Sequence, residues 1–598
     1  MSDTTALADG FDPVDRARWR ELVAAAMRRS NGDVAPDDVE RLLVTPTDDG
    51  YAVHPLYTAE DVASFPAPHD PGRFDFVRGA STADESIGWD VRARHWLDAD
   101  SPAAIADDLA NGVTSLWLTD GDPDHLIAAL ADVDLEQVPV VVEGFRAGHR
   151  LASALLELDR PLNPRSSLGL DPLGLVAATR RSGDIDDALD LSVEAKAAGI
   201  GAFTIDGTVY HDAGASFAEE LGAVTASGLA TLRLLNESGL SSEEAARLIS
   251  FRWVVTDDQF ASIAKLRAAR ILWARVLEVA GAGTAVGQQQ HATTSIAMLT
   301  ARDPWVNLIR NCVAAFAGGV GGAAAVTVEP HTLATGEVDA FARRMARNTQ
   351  LLLLQESNVG FVADPAGGSY YVETRTRQLA EAGWSWLRDI EAAGGMRAAL
   401  DAGIVAKRIE RTWQRRMDHT AHREAPITGV TEFPDRNRDA RVGVGWQRPG
   451  GGLPQHRYAE AFEALRDRAD AAPQPPTVAL ITVGPLARHA ARQTFTENLL
   501  AAGGIDTVAI PYRPGADLEL PDGVTVACIV GADPDYDEAI PAIAPQARAA
   551  GVERLLVAGK PGNRTEADQE AGVFDYLFVG CDAQALLDQV LTDLEVPA

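Results

Sequence analysis

Thr114-Ser115-Leu116-Trp117-Leu118-Thr119, Val138-Pro139-Val140-Val141-Val142-Glu143 and Ala202-Phe203-Thr204-Ile205-Asp206 are strand-like runs, each followed by an Ala-, Leu-, Glu- and Arg-rich stretch of helical character. From about Thr114 to Pro330 this alternation repeats, the pattern of βα units laid into a parallel sheet. The candidate strands are Thr114–Thr119, Val138–Glu143, Ser166–Leu170, Ala202–Asp206, Thr231–Leu235, Phe251–Val255, Thr284–Gly287 and Ala323–Val328. Eight such units fit a (β/α)8 barrel. Several carry Gly, Ser and Thr where a packed barrel prefers Val, Ile and Leu, as a barrel that threads a substrate along its axis would require.

Downstream, Phe341–Ser357 has no Gly or Pro and reads as one continuous helix. Asp364-Pro365-Ala366-Gly367-Gly368 then forces a turn. Between His422 and Pro476 the texture shifts to Arg, Gly, Pro and Asp, which reads as a linker. Beyond it come Thr477–Val483, helix Ala487–Ala502, Thr507–Pro511, Val524–Val530, helix Tyr536–Ala550, Arg554–Ala558, Tyr576–Val579 and helix Ala583–Leu594. Those strands predict a small doubly wound sheet. Its second crossover, around Arg513-Pro514-Gly515-Ala516-Asp517, barely has room for a helix. Upstream, Trp19, Leu22, Val23 and Met27 recur at helical spacing over Asp15–Arg28, in a segment with too little apolar surface for its own core. This arm is expected to lie on another surface, in this chain or in a partner. The expected division is an arm over residues 1–65, a barrel over 66–420, a linker over 421–476 and an α/β domain over 477–598.

The 598 residues carry 53 Lys and Arg against 86 Asp and Glu, a net charge of −33. Such a length predicts several domains, each with its own core. The acidic balance argues against a nucleic-acid backbone as partner, and an acidic substrate would need a local cationic pocket. Cys312, Cys528 and Cys581 stand far apart without a C-x-x-C pair. That excludes a disulfide framework and a thiolate zinc cluster, and a reduced cytoplasmic setting is expected. The N-terminus lacks a basic-then-apolar leader, and the longest nearly apolar run, Val313–Val328, is Gly-rich and shorter than the ~18 residues of a membrane span. Neither secretion nor a membrane is expected.

Gly319-Val320-Gly321-Gly322-Ala323-Ala324 comes close to G-x-G-x-x-A, but it follows a helix and enters a strand, the reverse of a dinucleotide site. Barrel packing is the reading it supports. Ala558-Gly559-Lys560-Pro561-Gly562 lacks the P-loop spacing and reads as a turn. No HExxH and no His at zinc-ligand spacing is present, so no metal site is expected. Gln288-Gln289-Gln290-His291 follows the seventh candidate strand, where a barrel puts binding groups, though polar barrel lining explains it as well. Arg78, Arg92 and Arg94 near the barrel entrance are either a clamp for an acidic ligand or surface ion pairs.

Three longer motifs carry a specific resemblance. Ser262-Ile263-Ala264-Lys265-Leu266-Arg267-Ala268-Ala269-Arg270 comes first, then Arg347-Asn348-Thr349-Gln350-Leu351 with Gln355-Glu356-Ser357, then Asp364-Pro365-Ala366-Gly367-Gly368-Ser369-Tyr370-Tyr371-Val372-Glu373. In that order they resemble the acyl-CoA mutase family typified by methylmalonyl-CoA mutase. The resemblance spans nearly the whole chain and implies an arm, a (β/α)8 TIM barrel, a linker and a flavodoxin-like, cobalamin-binding-type α/β domain.

Departures from the family pattern matter as much. Active members hold cobalamin through Asp-x-His-x-x-Gly after the first strand of the last domain; anchored on Gly484, its three fixed residues fall on Leu486, Arg488 and Ala491. A guanidinium stays protonated and offers cobalt no lone pair. His489 stands one residue from that ligand position. The Ser-x-Leu segment that packs on the cofactor's nucleotide tail is replaced around Gly531-Ala532-Asp533-Pro534, and the Gly-Gly turn after the fourth strand reads Gly559-Lys560. In the barrel, the family's Ser-Gly-Tyr-His run is matched to Ser238-Gly239-Leu240-Ser241, its Arg-Gly-Pro-Tyr entrance to Arg78-Gly79-Ala80-Ser81, and its His-Ser-Gln-Thr-Ser-Gly run to His291-Ala292-Thr293-Thr294-Ser295-Ile296.

The resemblance therefore implies a degenerate member, like the small, non-catalytic subunits of heterodimeric mutases. A homologous large subunit would bind adenosylcobalamin, interconvert methylmalonyl-CoA and succinyl-CoA, and serve propionate metabolism, while this chain holds no catalytic residue, cofactor or metal. The rivals are an active mutase with a divergent cofactor site, kept open by His291, His489 and the entrance arginines, and a partner that loads or protects cofactor without staying bound.

Overall fold

The computed structural model describes residues 14–66, 69–82, 88–143, 149–183, 185–284, 286–437 and 445–597. Residues 1–13 of the expected arm, Ala285 of the seventh candidate strand and residues 438–444 of the expected linker lie outside the described residues. Eight parallel strands close into a barrel: β1 (Asp90–Trp96), β2 (Ser115–Thr119), β3 (Val140–Glu143), β4 (Ser167–Leu170), β5 (Gly201–Asp206), β6 (Ile249–Val255), β7 (Gln289–Thr294) and β8 (Ala325–Thr327), with β8 paired back onto β1. A second parallel sheet follows: β9 (Thr477–Thr482), β10 (Asp506–Pro511), β11 (Val526–Val530), β12 (Arg554–Ala558) and β13 (Val573–Leu577), in the order β10-β9-β11-β12-β13. That order is flavodoxin-like, so the α/β fold is the expected one, a TIM barrel followed by a flavodoxin-like domain.

The barrel's strand count agrees with the sequence reading, but two of its members do not. β1 was not among the candidates. Its interior positions are Arg92 and Arg94, which mask the apolar alternation that marks a strand. Thr231–Leu235 is not a strand but part of helix Phe217–Glu237, capped by a reciprocal Ser216–Glu219 box. Gly222 and Gly228 do not break that helix. They let it pack close, since a Cβ on Gly222 would lie 2.5 Å from Trp386 and one on Gly228 2.8 Å from Phe251. The seventh strand begins at Gln289 instead of Thr284, so His291 stands within the barrel wall. Helix Ala340–Leu351 runs on into a single π turn, Leu352–Glu356. Gly319 serves packing, for its Cβ would meet the Trp89 ring at 2.2 Å.

The expected linker contains helix Glu460–Asp470, anchored on the barrel by Glu463, which accepts from the Ala301 and Arg302 amides at 2.6 and 3.1 Å. In the arm, helix Arg16–Asn31 folds back on Pro36–Leu43, with Arg16 and Arg20 sharing Glu40 at 2.9 and 2.8 Å. The segment after it docks on the chain's own barrel. Asp49 accepts from the Ala218 amide (2.7 Å), Asp48 pairs with Arg416 (3.1 Å), and Tyr57 packs on Tyr371 with ring centres 5.2 Å apart. Of the predicted stripe, Trp19, Val23 and Met27 are half-buried while Leu22 is exposed, as are Val14, Leu42 and Leu43.

Candidate functional site

Charged side chains are rejected from a protein interior unless partnered, yet the barrel axis collects them. Arg252 sits inside the apolar β6 run Phe-Arg-Trp-Val-Val and is 1% exposed. Its Nη1 donates to Glu143 Oε2 at the end of β3 (2.5 Å) and to Asp206 Oδ2 at the end of β5 (2.8 Å). Its Nε donates to His291 Nδ1 (3.2 Å), and its guanidinium lies 3.8 Å from the centre of the Trp117 ring. Trp117 Nε1 donates to the same Glu143 oxygen at 2.7 Å. Burial depresses the Arg252 pKa, but the two carboxylates outweigh it and the net shift is upward. Burial pushes the Glu143 carboxyl up.

His291 is engaged at both nitrogens. Nδ1 accepts from Arg252, so Nε2 carries the proton and donates to Thr327 Oγ1 at 2.8 Å. Burial, then the charges of Arg92, Arg252 and Arg94, hold its pKa well below the usual histidine range. It is a neutral spacer with no free lone pair to act as a base. Arg94 pairs with Glu329 (3.0 Å) and is enclosed by the rings of Trp117, Trp446 and Trp96, at 4.2, 4.2 and 4.7 Å. Arg92 donates through Nε to Ser115 Oγ (3.0 Å), and burial brings its pKa down to about 10. Thus Arg92 and Arg94 are buried barrel lining and not surface ion pairs. Below them run the small polar residues anticipated for a threaded barrel, Ser167, Thr204 and Ser250, but they bond to one another at 3.2 and 2.9 Å. Beside Arg252, a cavity of about 50 Å³ lined by Glu143, Asp171, Thr204 and Asp206 has room for a water or two.

A strap from the linker closes the C-terminal mouth. The amides of Gly452 and Leu453 donate to Ala178 O and Ala177 O (3.0 and 2.7 Å), His456 N donates to Asp212 O (2.7 Å), and Tyr458 N to Ala297 O (2.9 Å). Arg448 is buried over the turn after β5, donating to Thr208 O at 3.1 Å, with Asp212 at 3.5 Å. His456 stacks on Trp413, with ring centres 4.2 Å apart. Under the strap, His211 Nε2 bonds Ser295 Oγ (2.8 Å) and its Nδ1 lies 3.5 Å from Glu220, which in turn holds Lys265 at 2.6 Å.

Two of the motif matches shift on inspection of the barrel's ends. Ser238–Ser241 follows helix Phe217–Glu237 and caps helix Ser242–Arg247, at the end of the barrel where β6 begins; the residues that leave the fifth strand at its C-terminal end are Gly207-Thr208-Val209-Tyr210-His211. Arg78-Gly79-Ala80-Ser81 likewise stands at the N-terminal end, where Ala80 touches Gly287 ahead of β7. Arg78 pairs there with Asp364 at 3.0 Å. The motif residues Arg267, Asp364 and Glu373 form one buried ionic knot, and Arg270 donates to the Phe76 and Val77 carbonyls at 2.8 and 2.9 Å.

In the C-terminal domain the crevice between β9 and β11 is filled from within. Tyr536 Oη donates to Ala558 O (2.5 Å) and accepts from Gly531 N (2.8 Å). Arg492 donates to Gly531 O (3.0 Å) and pairs with Asp533 (2.6 Å), while Arg488 pairs with Asp535 at 2.9 Å. His489 is buried, 7% exposed, with Nδ1 unpartnered. Among the described residues, no group of three or more His, Cys, Asp or Glu is placed to hold a metal ion, and no helix is long and apolar enough to cross a membrane.

Residues 191–474 match the sequence model of the family described as methylmalonyl-CoA mutase. The methylmalonyl-CoA mutase small subunit of Streptomyces virginiae is 43% identical, over 99% of this chain and 99% of its own length. The chain belongs to the methylmalonyl-CoA mutase family. The small subunit of Propionibacterium freudenreichii subsp. shermanii is 34% identical over 99% of this chain and 97% of its own. The Streptomyces virginiae large subunit is 30% identical over 72% of this chain and 64% of its own. Of the residues that build the barrel interior in this family member, sequence reasoning reached Arg92, Arg94 and His291 and missed Arg252, Glu143, Asp206, Trp117 and Trp446. Arg252 was findable as a lone charge within an apolar strand.

Burial holds the Asp212 carboxyl up at about 7, against ~3.9 for a free aspartate. Between those values the folded chain keeps a proton that the unfolded chain releases. This contribution to stability is therefore fully present below about pH 4 and is lost as pH rises through about 7. Asp212→Asn removes the dependence. Relative to wild type, the variant is expected to gain about 2 kcal/mol in urea unfolding between about pH 5 and pH 8; an offset that stays constant with pH contradicts this.

Proposed function

We propose that this chain is the non-catalytic small subunit of a heterodimeric methylmalonyl-CoA mutase, supporting a homologous large subunit that binds adenosylcobalamin and interconverts methylmalonyl-CoA and succinyl-CoA. The observation that carries the reading is the barrel axis, where Arg252 bridges Glu143 and Asp206 against Trp117 in the space an acyl-CoA would thread. Among the described residues, the charged groups on that axis, Arg252, Glu143, Asp206, Arg94 and Glu329, are engaged with one another. The isomerase activity belongs to the complex, and this chain contributes architecture. A reduced cytoplasmic setting agrees with its three unpaired cysteines.

The last domain does not fit cobalamin. Arg488 occupies the cobalt-ligand position and is committed to Asp535, His489 is buried, and Tyr536 with Arg492 fills the crevice that a nucleotide tail would enter. Titrating the purified chain with adenosylcobalamin is expected to leave the visible spectrum of the free cofactor unchanged. A stoichiometric base-off, His-ligated spectrum would refute the reading, and its loss in His489→Ala would identify the ligand.

The arm, residues 1–65, is the proposed clasp on the partner. Its helix pair shows exposed Val14, Leu22, Leu42 and Leu43, while the segment around Asp48 and Asp49 roots it in this chain's barrel. Deleting residues 1–40 should weaken association with the large subunit and leave the barrel's melting transition in place. Undiminished one-to-one co-purification of the truncated chain would remove the clasp and leave the subunit reading standing.

A further inference from the structure

Helix Val306–Val320 buries polar residues in its first turns and leaves large apolar ones outside. Its buried side begins with Asn307, Arg310 and Asn311. Asn307 and Arg310 bond each other and Thr300, and Asn311 donates to the Glu329 carbonyl at 2.8 Å. Its outer side, with the residue that precedes it, carries Trp305, Ile309, Cys312, Val313 and Phe316, a helical stripe of the kind that ordinarily faces a core. Trp305 is 61% exposed and Ile309 66%.

The stripe widens at both ends. Trp305 lies 6.3 Å from the Phe341 ring, and Phe341 is 38% exposed. At the far end, Phe316 and Val359 share the cluster of Ile263, Ala317, Val320 and Val372, and the neighbouring Phe361 and Val362 are 78% and 61% exposed. At ~200 Å² per aromatic side chain, Trp305, Phe341 and Phe361 together offer roughly 350 Å². That is comparable with the ~300–600 Å² of the largest apolar patch on an ordinary monomer, often a functional one, and Ile309 and Val362 carry it further toward the ~800 Å² each partner gives a standard interface.

We propose that this face, centred on Trp305, Ile309 and Phe361, is where the homologous large subunit docks. The proposal rests on the subunit reading above and adds the surface. A second copy of this chain is disfavoured as occupant, because it would bring another net charge of −33 against the first. A homologue of the same fold, such as a large subunit that aligns over 72% of this chain at 30% identity, would present its own counterpart of helix Val306–Val320. Two such helices meet face to face across a pseudo-twofold axis.

The test uses full-length chains: this protein as wild type, as the double variant Ile309→Glu/Phe361→Glu, and as Val279→Glu, an exposed apolar site on another helix. Affinity for the full-length large subunit is measured by analytical ultracentrifugation, with the melting temperature of each variant recorded. Wild type and Val279→Glu should bind one-to-one, and the double variant should lose about 100-fold in affinity or more, as expected for interface anchors, with an unchanged melting transition. A second readout needs no substitution: amide hydrogen exchange over residues 303–316 should slow when the large subunit is added to wild type. Wild-type binding that the double variant retains, or exchange that does not change, overturns the docking face while the subunit reading stands. Failure of wild type itself to bind the large subunit overturns both. A homodimer that the double variant abolishes would assign the face to a second copy and overturn the proposal.

Discussion

One buried guanidinium sets the character of this barrel. Arg252 stands among β-strand residues that would ordinarily be aliphatic, and it is tolerable only because Glu143 and Asp206 close on it from two other strands and Trp117 lies beneath it. Removing one partner of such a group leaves a buried charge, a loss of about 3–5 kcal/mol, so the partners hold one another in place. The same contacts fix the tautomer of His291 and seat Trp117 between Arg252 and Arg94. Arg94 then carries Trp446, the first ring of the strap, and from there the chain laces across the mouth to Tyr458. Much of the axis's polar lining is thereby partnered within the chain, while Arg252 Nη2, Arg94 Nε and Glu329 Oε2 are buried without a hydrogen-bond partner.

The motifs that tie the chain to its family describe a frame. Lys265 holds Glu220 under the strap, Arg267 gathers Asp364 and Glu373, and Arg270 pins the carbonyls of Phe76 and Val77. Arg347 binds Asp108, and Gln350 accepts from Trp89 Nε1 at 3.1 Å. All four of these cationic groups are deeply buried. They join the N-terminal segment to helices Gln259–Val279, Ala340–Leu351 and Tyr370–Ala392, and this frame carries the family's sequence signature.

Legibility followed the locality of each signal. The first four strands of the C-terminal sheet were readable to within about two residues, the central ones as continuous apolar runs, but the last lies at Val573–Leu577 instead of Tyr576–Val579, and helix Thr565–Ala571 was not anticipated. The barrel was readable as a class but not strand by strand: β1 hides behind Arg92 and Arg94, and the Leu-rich turn at Thr231–Leu235 belongs to a helix whose glycines accommodate Trp386 and Phe251. Ser238–Ser241 misled for a related reason, since a short run does not say which end of a barrel it occupies. The strap was not legible, because Gly- and Pro-rich chain between Trp446 and Tyr458 acquires its meaning only from carbonyls far away in sequence, such as Ala177 and Asp212. Arg252 was missed although it is a lone charge within the apolar run of β6, and its two carboxylates lie 109 and 46 residues away.

If the axis is closed by the chain's own charges, it has no place for the substrate its relatives are named for. Calorimetric titration of the isolated full-length chain with methylmalonyl-CoA tests this most directly. The account predicts no saturable heat up to about 1 mM, a threshold worth only ~4 kcal/mol of binding. One-to-one binding in the micromolar range that is lost in Arg252→Ala would show an open, occupied barrel and contradict it.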